Sequence, residues 1–238
     1  MAIAWPEAQV IATDLTPPDP TTLPSPLPPN LNFIKSDADD ESWPFEHKFD
    51  FIHGRMLASG IHDWPGLLSR CWNHLEPGGH LELLDLCHPF RAQDPDFDTP
   101  ESSAFIKWGH AAETSWKAQG LDYRSTTKHA QRLSDLGFEK IQETQLKWPL
   151  GEWTGTTEQK EDEKREKDKE EQTDLDADRN RQIGALTLHN FSAFLTSAGP
   201  KILSHHPTLN AAEAEQLTQE ALSDLHDNCC TKRFYLTM

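Results

Sequence analysis

The chain has 238 residues, a formal net charge of −17 and a mean hydropathy of −0.70, and only 36% of its residues are hydrophobic. This length supports one hydrophobic core, or one core with a small cap, so part of the chain must lie outside the core. The acidic balance argues against a nucleic acid or an anionic membrane surface as a partner, because both would repel the protein.

The four cysteines lie at positions 71, 87, 229 and 230, and none of them forms a CxxC pair. Adjacent cysteines such as Cys229 and Cys230 rarely form a disulfide with each other, so a reduced, intracellular protein is the better interpretation. The first residues, MAIAWPEAQVIATDL, lack the basic and long apolar regions of a signal peptide, and no stretch approaches ~20 apolar residues. We therefore expect a cytoplasmic or nuclear protein that is not secreted.

The first two predicted strands each lead to an acidic residue. An apolar run over Val10 to Ala12 precedes Asp14, and the following residues 15–30 contain seven prolines, which is typical of an irregular surface loop. A second strand, around Leu31 to Ile34, ends in acids that begin at Asp37. Short apolar runs of this kind are typical of buried parallel strands.

A strand, a helix and another strand follow. Phe49 to Ile52 forms the third predicted strand, and residues 67–75 carry apolar side chains at helical spacing before a stop at Pro77-Gly78-Gly79. HLELLDL is the fourth predicted strand. The sequence therefore predicts an α/β protein, in which ligands bind beyond the carboxyl ends of parallel strands.

The whole sequence divides into three predicted regions. Residues 1–157 are interpreted as an α/β core with a helical insertion over about 90–136, in which 101–120 and 128–136 are helices and GFEKIQETQLKWPL is a strand. Residues 158–182 form a charged insert, expected to be disordered or an isolated solvated helix, because 158–181 hold eleven acidic and seven basic residues. Residues 183–238 read as a helical cap that leads into a closing strand, KRFYLTM.

The acids that end the first two strands suggest a nucleotide ligand. A carboxylate at the position of Asp14 can accept hydrogen bonds from both ribose hydroxyls of a nicotinamide cofactor or of S-adenosylmethionine. Asp37 and the small Ala38 are compatible with the amine and the ring of an adenine. Both acids have an alternative role in capping the turns that follow their strands.

Several segments together resemble the class I S-adenosylmethionine-dependent methyltransferases, and more narrowly the fungal LaeA-like group associated with secondary metabolism. The resemblance covers residues 5–155 well and 183–236 loosely. A helix that ends on a PGG turn before a strand is a feature of that fold. The segments are PEAQVIATDLTP, PPNLNFIKSDADD, FDFIHGRML, DWPGLLSRCWNHLEPGGHLELLDL and KWPLGEW.

The resemblance implies a Rossmann-like sheet, S-adenosylmethionine as cofactor and a small-molecule methyl acceptor. It implies that Asp14 holds the ribose with Leu15 nearby, that Asp37 and Ala38 meet the adenine, and that Ile52, His53 and Gly54 line the floor beside the methyl sulfonium. It also implies that Glu82 and Asp85 face the acceptor. His53 is the candidate general base, because histidine titrates near neutral pH; its alternative role, like that of Glu82, is structural.

Other features of the sequence are less specific. No Cys/His spacing matches a structural zinc site and no HExxH is present, so no bound metal is expected. Trp108 and Trp116 belong either to core packing or to an aromatic acceptor pocket.

The family's glycine-rich loop has no counterpart, because the sequence contains no GxGxG. The segment MAIAWPEAQV resembles the end of the helix that follows that loop, so we expect the first strand and the loop to be absent and the closing strand to be cut short. A truncated gene model, a splice form and a decayed copy all fit, and cofactor binding is expected to be impaired.

The sequence is compatible with three functions. The first is a methyltransferase that acts on a fungal metabolite, and the second is a non-catalytic regulator that binds a protein partner through its charged insert. The third, a nicotinamide-dependent dehydrogenase, fits Asp14 but leaves the PGG turn and KWPLGEW unexplained.

Overall fold

The computed structural model describes residues 1–238 except 17, 20, 22, 24, 25 and 154–167, and it describes only the backbone of residues 88 and 168–177. The chain forms two compact units. Unit 1 comprises residues 1–53 and 61–82, and unit 2 comprises residues 54–60 and 83–238. The alternation of strands and helices that the sequence predicts for an α/β protein is present, with seven strands and five α-helices in the described part of the chain.

Unit 1 contains a parallel pair of strands. Strands β1 (Val10–Asp14) and β2 (Leu31–Lys35) pair from Val10 opposite Leu31 to Asp14 opposite Lys35. Asn30, which is buried, holds the N-terminal residues beside β2, because its side-chain amide donates to the carbonyls of residues 2, 5 and 8 at 3.1, 2.9 and 2.8 Å. The two strands predicted around Asp14 and Asp37 are therefore adjacent and run in the same direction.

A strand–helix–strand segment follows. Strand β3 (Phe49–Arg55) pairs with strand β4 (Leu75–Leu84), and helix α1 (Trp64–His74) connects them. The Asp63 carboxylate caps α1 by accepting from the Gly66 N–H, which is a strong helix-start signal. The buried face of α1 consists of Trp64, Leu67, Leu68 and Cys71.

The prediction that α1 ends at the PGG turn was wrong. The helix ends at His74, and the backbone is already extended at Leu75, so the three residues lie inside β4. Gly78 adopts a φ of +84°, and a Cβ on Gly79 would come within 2.9 Å of the Glu76 carbonyl oxygen and 3.1 Å of the Phe49 carbonyl oxygen. The glycines are therefore required by an irregular, closely packed strand rather than by a helix stop.

Unit 2 combines helices with a three-stranded antiparallel sheet. The strands are β5 (Cys87–Ala92), β6 (Lys147–Pro149) and β7 (Phe234–Thr237), in the order β5-β7-β6. The predicted KRFYLTM strand is thus the centre of this sheet. The strand predicted for GFEKIQETQLKWPL is confined to its last residues, and the sequence reasoning assigned no strand to 87–92.

The helices of unit 2 are α2 (Ala104–Ala118), α3 (His129–Leu136), α4 (Asp168–Leu203) and α5 (Ala211–Asn228). Asn210 starts α5 through a capping box with Glu213. Aromatic side chains pack between α2, α4 and the sheet: the ring of Phe105 lies 5.3 Å from Phe90 and 4.8 Å from Phe234. These buried rings form the core of unit 2.

The KWPLGEW segment joins the sheet to α4. The Leu150 N–H and the Trp153 indole both donate to the Phe234 carbonyl, at 2.8 and 3.1 Å. The Gly151 N–H donates to the Gly184 carbonyl at 3.0 Å, with Gly151 at a φ of +109°. A non-glycine residue is disfavoured at this φ, so the sequence motif has a structural purpose here.

The charged stretch predicted for 158–182 lies partly outside the described residues, which resume at Asp168 with the first turn of α4. From Asp168 onward its backbone is helical and continues without a break to Leu203. The prediction of a disordered segment or an isolated solvated helix stays a prediction for the rest of the stretch.

Candidate cofactor and acceptor site

The two acids predicted to hold a nucleotide lie at the same end of the parallel pair. Asp14 is the last residue of β1 and is paired with Lys35, and the Ser36 N–H donates to its carbonyl at 3.1 Å. Asp37 follows two residues after Lys35, beyond the carboxyl end of β2. In α/β proteins this is the edge at which ligands bind.

Each of these carboxylates also stabilises its own turn. One oxygen of Asp14 accepts from the Thr16 N–H at 3.0 Å, and one oxygen of Asp37 accepts from the Asp39 N–H at 2.9 Å. Among the described residues, no hydrogen bond engages the second oxygen of either group. A carboxylate has lone pairs to spare for a ligand, so the turn-capping and ligand-binding interpretations are compatible.

The loop that carries Asp37 and Ala38 is held by helix α1 and its start. The Ala38 carbonyl accepts from the Arg70 guanidinium at 2.9 Å and from the Trp43 indole at 3.3 Å. The Asp39 carboxylate accepts from the His62 N–H at 2.7 Å and its ring Nδ1 at 3.0 Å, and from the Asp63 N–H at 3.3 Å. Burial opposes the charge of Asp39, but these hydrogen bonds from His62 and Asp63 outweigh it and lower the pKa of the carboxyl.

Sequence reasoning missed the roles of Asp39 and Arg70. The only signal was the run of acids in SDADD, which does not show which of them faces a residue more than twenty positions away. We expect Asp39→Ala to release the loop, because two backbone N–H groups lose their acceptor, at a cost of about 1–3 kcal/mol. Hydrogen exchange at the His62 and Asp63 amides should accelerate.

The matched control for this change is Asp40→Ala, since Asp40 is an exposed acid one position further on. Its effect on the same two amides should be negligible. Equal exchange rates in the two variants would show that Asp39 does not hold the loop.

The two predicted catalytic residues are hydrogen-bonded to each other. His53 on β3 and Glu82 on β4 approach to 2.8 Å between Nδ1 and Oε2, with side chains 28% and 61% exposed. The ring of Phe51 stacks beside the imidazole, with centroids 6.2 Å apart. Since the contact occupies Nδ1, the other ring nitrogen is the one that can meet a ligand.

The other residues predicted to line the floor have packing roles. Ile52 is half-buried, and a Cβ on Gly54 would come within 2.8 Å of a Leu57 methyl and 2.9 Å of a Leu83 methyl. Those leucines occupy the space that a side chain would need. Both contacts are with the ends of flexible side chains, so the packing favours glycine at position 54 without requiring it.

Asp85, directly after β4, anchors the loop after β3. One of its oxygens accepts from the Leu57 and Ala58 N–H groups at 2.7 and 2.8 Å, and the other accepts from the Leu86 N–H at 2.9 Å. Burial raises the pKa of Asp85, and the three backbone hydrogen bonds only partly offset this. With both oxygens engaged, Asp85 has a structural role.

The two tryptophans of α2 belong to the core. Trp108 is 0% exposed and donates to the Thr218 hydroxyl at 3.2 Å, and Trp116 is 3% exposed and stacks on Tyr123 with ring centroids 3.8 Å apart. Of the two interpretations of these residues, core packing agrees with the structure. An acceptor pocket lined by them does not, because their rings face the interior.

Among the described residues, no helix is long and apolar enough to cross a membrane. Within the same residues, no group of three or more histidine, cysteine or acidic side chains is arranged to hold a metal ion.

A parallel strand pair with carboxylates at one end, followed by a strand–helix–strand segment, defines an α/β protein of the Rossmann-like class. Residues 3–143, more than half of the chain, match the family described as "Methyltransferase domain". The chain belongs to this family, as the resemblance of its segments predicted.

Fungal relatives agree with this assignment. The chain is 30% identical to methyltransferase pytC of Aspergillus terreus over 154 residues, which are 64% of this chain and 45% of that protein. It is 32% identical to methyltransferase cpsF of Aspergillus campestris over 134 residues, which are 56% of this chain and 47% of that protein. It is 31% identical to the secondary metabolism regulator LAE1 of Cochliobolus heterostrophus over 165 residues, which are 68% of this chain and 51% of that protein. The chain thus spans about half the length of the curated relatives it matches.

Proposed function

We propose that this chain contributes the adenosine-binding edge and the acceptor-facing strands of an S-adenosylmethionine-dependent methyltransferase that acts on a small molecule, as in fungal secondary metabolism. The observation that carries the proposal is the placement of Asp14 and Asp37 at the carboxyl ends of adjacent parallel strands. Each carboxylate has one oxygen that no described residue engages, and such a pair suits a ligand with hydroxyl and amine donors on one rigid adenosine unit.

The residues present fit the adenosine part of the cofactor. Asp14 would accept from the ribose hydroxyls, and Asp37 would accept from the adenine amine beside the small Ala38. Leu15 is 58% exposed directly after Asp14 and offers an apolar surface for a ring. When bound, S-adenosylmethionine supplies an activated methyl group.

The methionine part of the cofactor has fewer candidate contacts. The 238 residues contain no GxGxG, and glycines are what allow backbone N–H groups to approach a cofactor closely. We therefore propose that this chain by itself binds S-adenosylmethionine weakly.

The acceptor would be activated by His53. Methyl transfer is a displacement at carbon, so the protein mainly aligns the two reactants, and a base is needed when the acceptor must lose a proton. The Glu82 carboxylate accepts from Nδ1 of His53 and fixes the orientation of its ring. The opposite nitrogen of the imidazole then removes the proton of the acceptor.

Saturation-transfer NMR with S-adenosylhomocysteine tests the adenosine site, because the method detects weak binding. We expect saturation of the adenine and ribose protons with the native chain and loss of both with Asp14→Ala. Asp19→Ala removes an exposed acid from the loop that follows β1 and should leave the signals unchanged. Signals that survive in Asp14→Ala, or that are absent with the native chain, would contradict the site.

A second function, regulation through protein binding, is supported by a different observation. Several relatives carry the name of a secondary metabolism regulator, and the charged composition of residues 158–182 suits a partner that binds through charge. If this second function is the real one, the adenosine site is a remnant of a cofactor site and plays no part in the regulatory alternative. It predicts that deletion of 158–182 abolishes partner binding, and that Asp14→Ala has no effect on it.

A further inference from the structure

The most unusual reactive group outside the proposed site is the pair Cys229 and Cys230. All four cysteines of the chain are free thiols, and these two are adjacent in sequence. They open a π-helical segment, Cys229–Arg233, which connects α5 to the central strand of the unit 2 sheet. Their sulfur atoms lie 3.7 Å apart.

The two thiols have different environments. Cys230 is exposed, whereas Cys229 is 7% exposed and packs against Gly151, where a Cβ would come within 2.8 Å of its sulfur. Burial raises the pKa of Cys229 to about 11, and contact with Cys230 adds to this effect. A diffusing oxidant therefore meets the Cys230 sulfur first, with the second thiol already within reach.

We propose that Cys229 and Cys230 are a reversible oxidation site for peroxides, which convert the pair into a vicinal disulfide. In the first step the Cys230 thiol reduces hydrogen peroxide, giving a sulfenic acid and one molecule of water. In the second step the Cys229 sulfur attacks the sulfenic sulfur, the S–O bond breaks, and a second water leaves. Two thiols and one peroxide thus yield one disulfide and two waters.

The expected disulfide is labile rather than structural. Consecutive Cα atoms are about 3.8 Å apart, which is shorter than the usual ~4.4–6.8 Å across a disulfide, so the ring that closes is strained and easily reduced. This agrees with the rarity of such bonds as permanent cross-links.

Closure has a structural consequence in unit 2. To form a bond of about 2.05 Å, the sulfur atoms must approach by more than an ångström, and the Cys229 sulfur lies directly against Gly151. Gly151 belongs to the KWPLGEW segment, and the Trp153 indole of that segment donates to the first residue of β7. Oxidation should therefore change the fluorescence of Trp153.

Peptide mapping tests the proposal on the native chain. Trypsin cleaves after Lys201 and Lys232, so both cysteines, and no others, fall on the peptide 202–232. After dilute hydrogen peroxide and alkylation of free thiols, we expect this peptide without alkyl groups and two hydrogens lighter than its reduced form. Dithiothreitol should restore both alkylation sites and the original fluorescence.

Two variants serve as controls. Cys230→Ser changes an exposed side chain, and it should lose both the mass change and the reversible fluorescence change. Cys87→Ser changes a thiol on β5, outside the pair, and should retain both the mass change and the reversible fluorescence change. The proposal is wrong if peroxide leaves the two thiols alkylatable, if Cys230 advances to sulfinic acid while Cys229 remains free, or if the product is a dimer linked between chains.

Discussion

An upstream segment with a strand, a GxGxG loop and a helix is expected to raise the affinity of this chain for S-adenosylmethionine about a hundredfold or more. Two new hydrogen bonds from backbone N–H groups to the charged methionine part would supply about 3–6 kcal/mol, and about 1.4 kcal/mol corresponds to tenfold in affinity. The segment can be designed as a strand, a GxGxG loop and a helix placed before residue 1, and calorimetry on the native and extended chains measures the difference.

Variants of the extended protein make the result interpretable. Asp14→Ala should lower its affinity by about ten- to a hundredfold, since it removes a charged hydrogen-bond acceptor for the ribose. Replacement of the added glycines by valine should return the affinity to that of the native chain. Micromolar binding by the native 238 residues would contradict the proposed weakness, and an extended protein that folds but does not bind would favour the regulatory alternative.

The substitution Asp224→Ala is expected to destabilise unit 2 by about 3–5 kcal/mol, because it breaks a buried ion pair and leaves one partner behind. Asp224 on α5 is 8% exposed and accepts from the Ser103 hydroxyl at 2.6 Å, the Phe105 N–H at 3.1 Å and the Asn228 amide at 3.0 Å. It also pairs with Lys232, whose side chain is only 13% exposed. Urea denaturation followed by tryptophan fluorescence measures the loss.

Asp227→Ala is the matched control, since Asp227 is an exposed acid on the same helix that accepts from the Ser223 hydroxyl. Its effect should be about 0.5 kcal/mol or less. Equal losses in the two variants would show that the buried network contributes nothing specific.

The same network predicts a dependence of stability on pH. Burial opposes the charge of Asp224, yet the hydrogen bonds from Lys232, Ser103 and Phe105 outweigh it and lower the pKa of the carboxyl. An acid with a lowered folded-state pKa contributes stability that is present above its unfolded pKa of about 3.9 and is lost as the pH falls through the folded value. The stability difference between the native chain and Asp224→Ala should therefore shrink in acid.

Local sequence patterns predicted much of the secondary structure. The helices of 101–120 and 128–136, the helical character predicted for the chain after residue 183 and the last strand are confirmed. These elements follow from periodicity and capping, which depend on neighbours in sequence. The end of α1 was mispredicted because Pro77-Gly78-Gly79 has the composition of a helix stop, whereas contacts with the strand at Phe49 keep it extended.

Roles that depend on distant partners were not readable from the sequence. Asp14, Asp37, Asp39, Asp85 and Asp224 are all acids near the end of an element, yet they differ in what they bind. Asp14 and Asp37 each keep one oxygen that no donor among the described residues engages, at one edge of a sheet. The carboxylates of the other three accept from backbone or side-chain donors of other segments. Only the folded chain brings those donors within hydrogen-bond distance.

The sequence by itself determined that this is an α/β methyltransferase-family chain whose first two strands end in acids, because strand pattern, turn residues and family motifs are local properties. The tertiary structure decided that those strands are parallel neighbours, that His53 meets Glu82, and that the two adjacent cysteines hold their sulfurs close together. The physical reason is that hydrogen bonds and steric contacts act over a few ångströms. Which residues share that distance depends on the path of the whole chain.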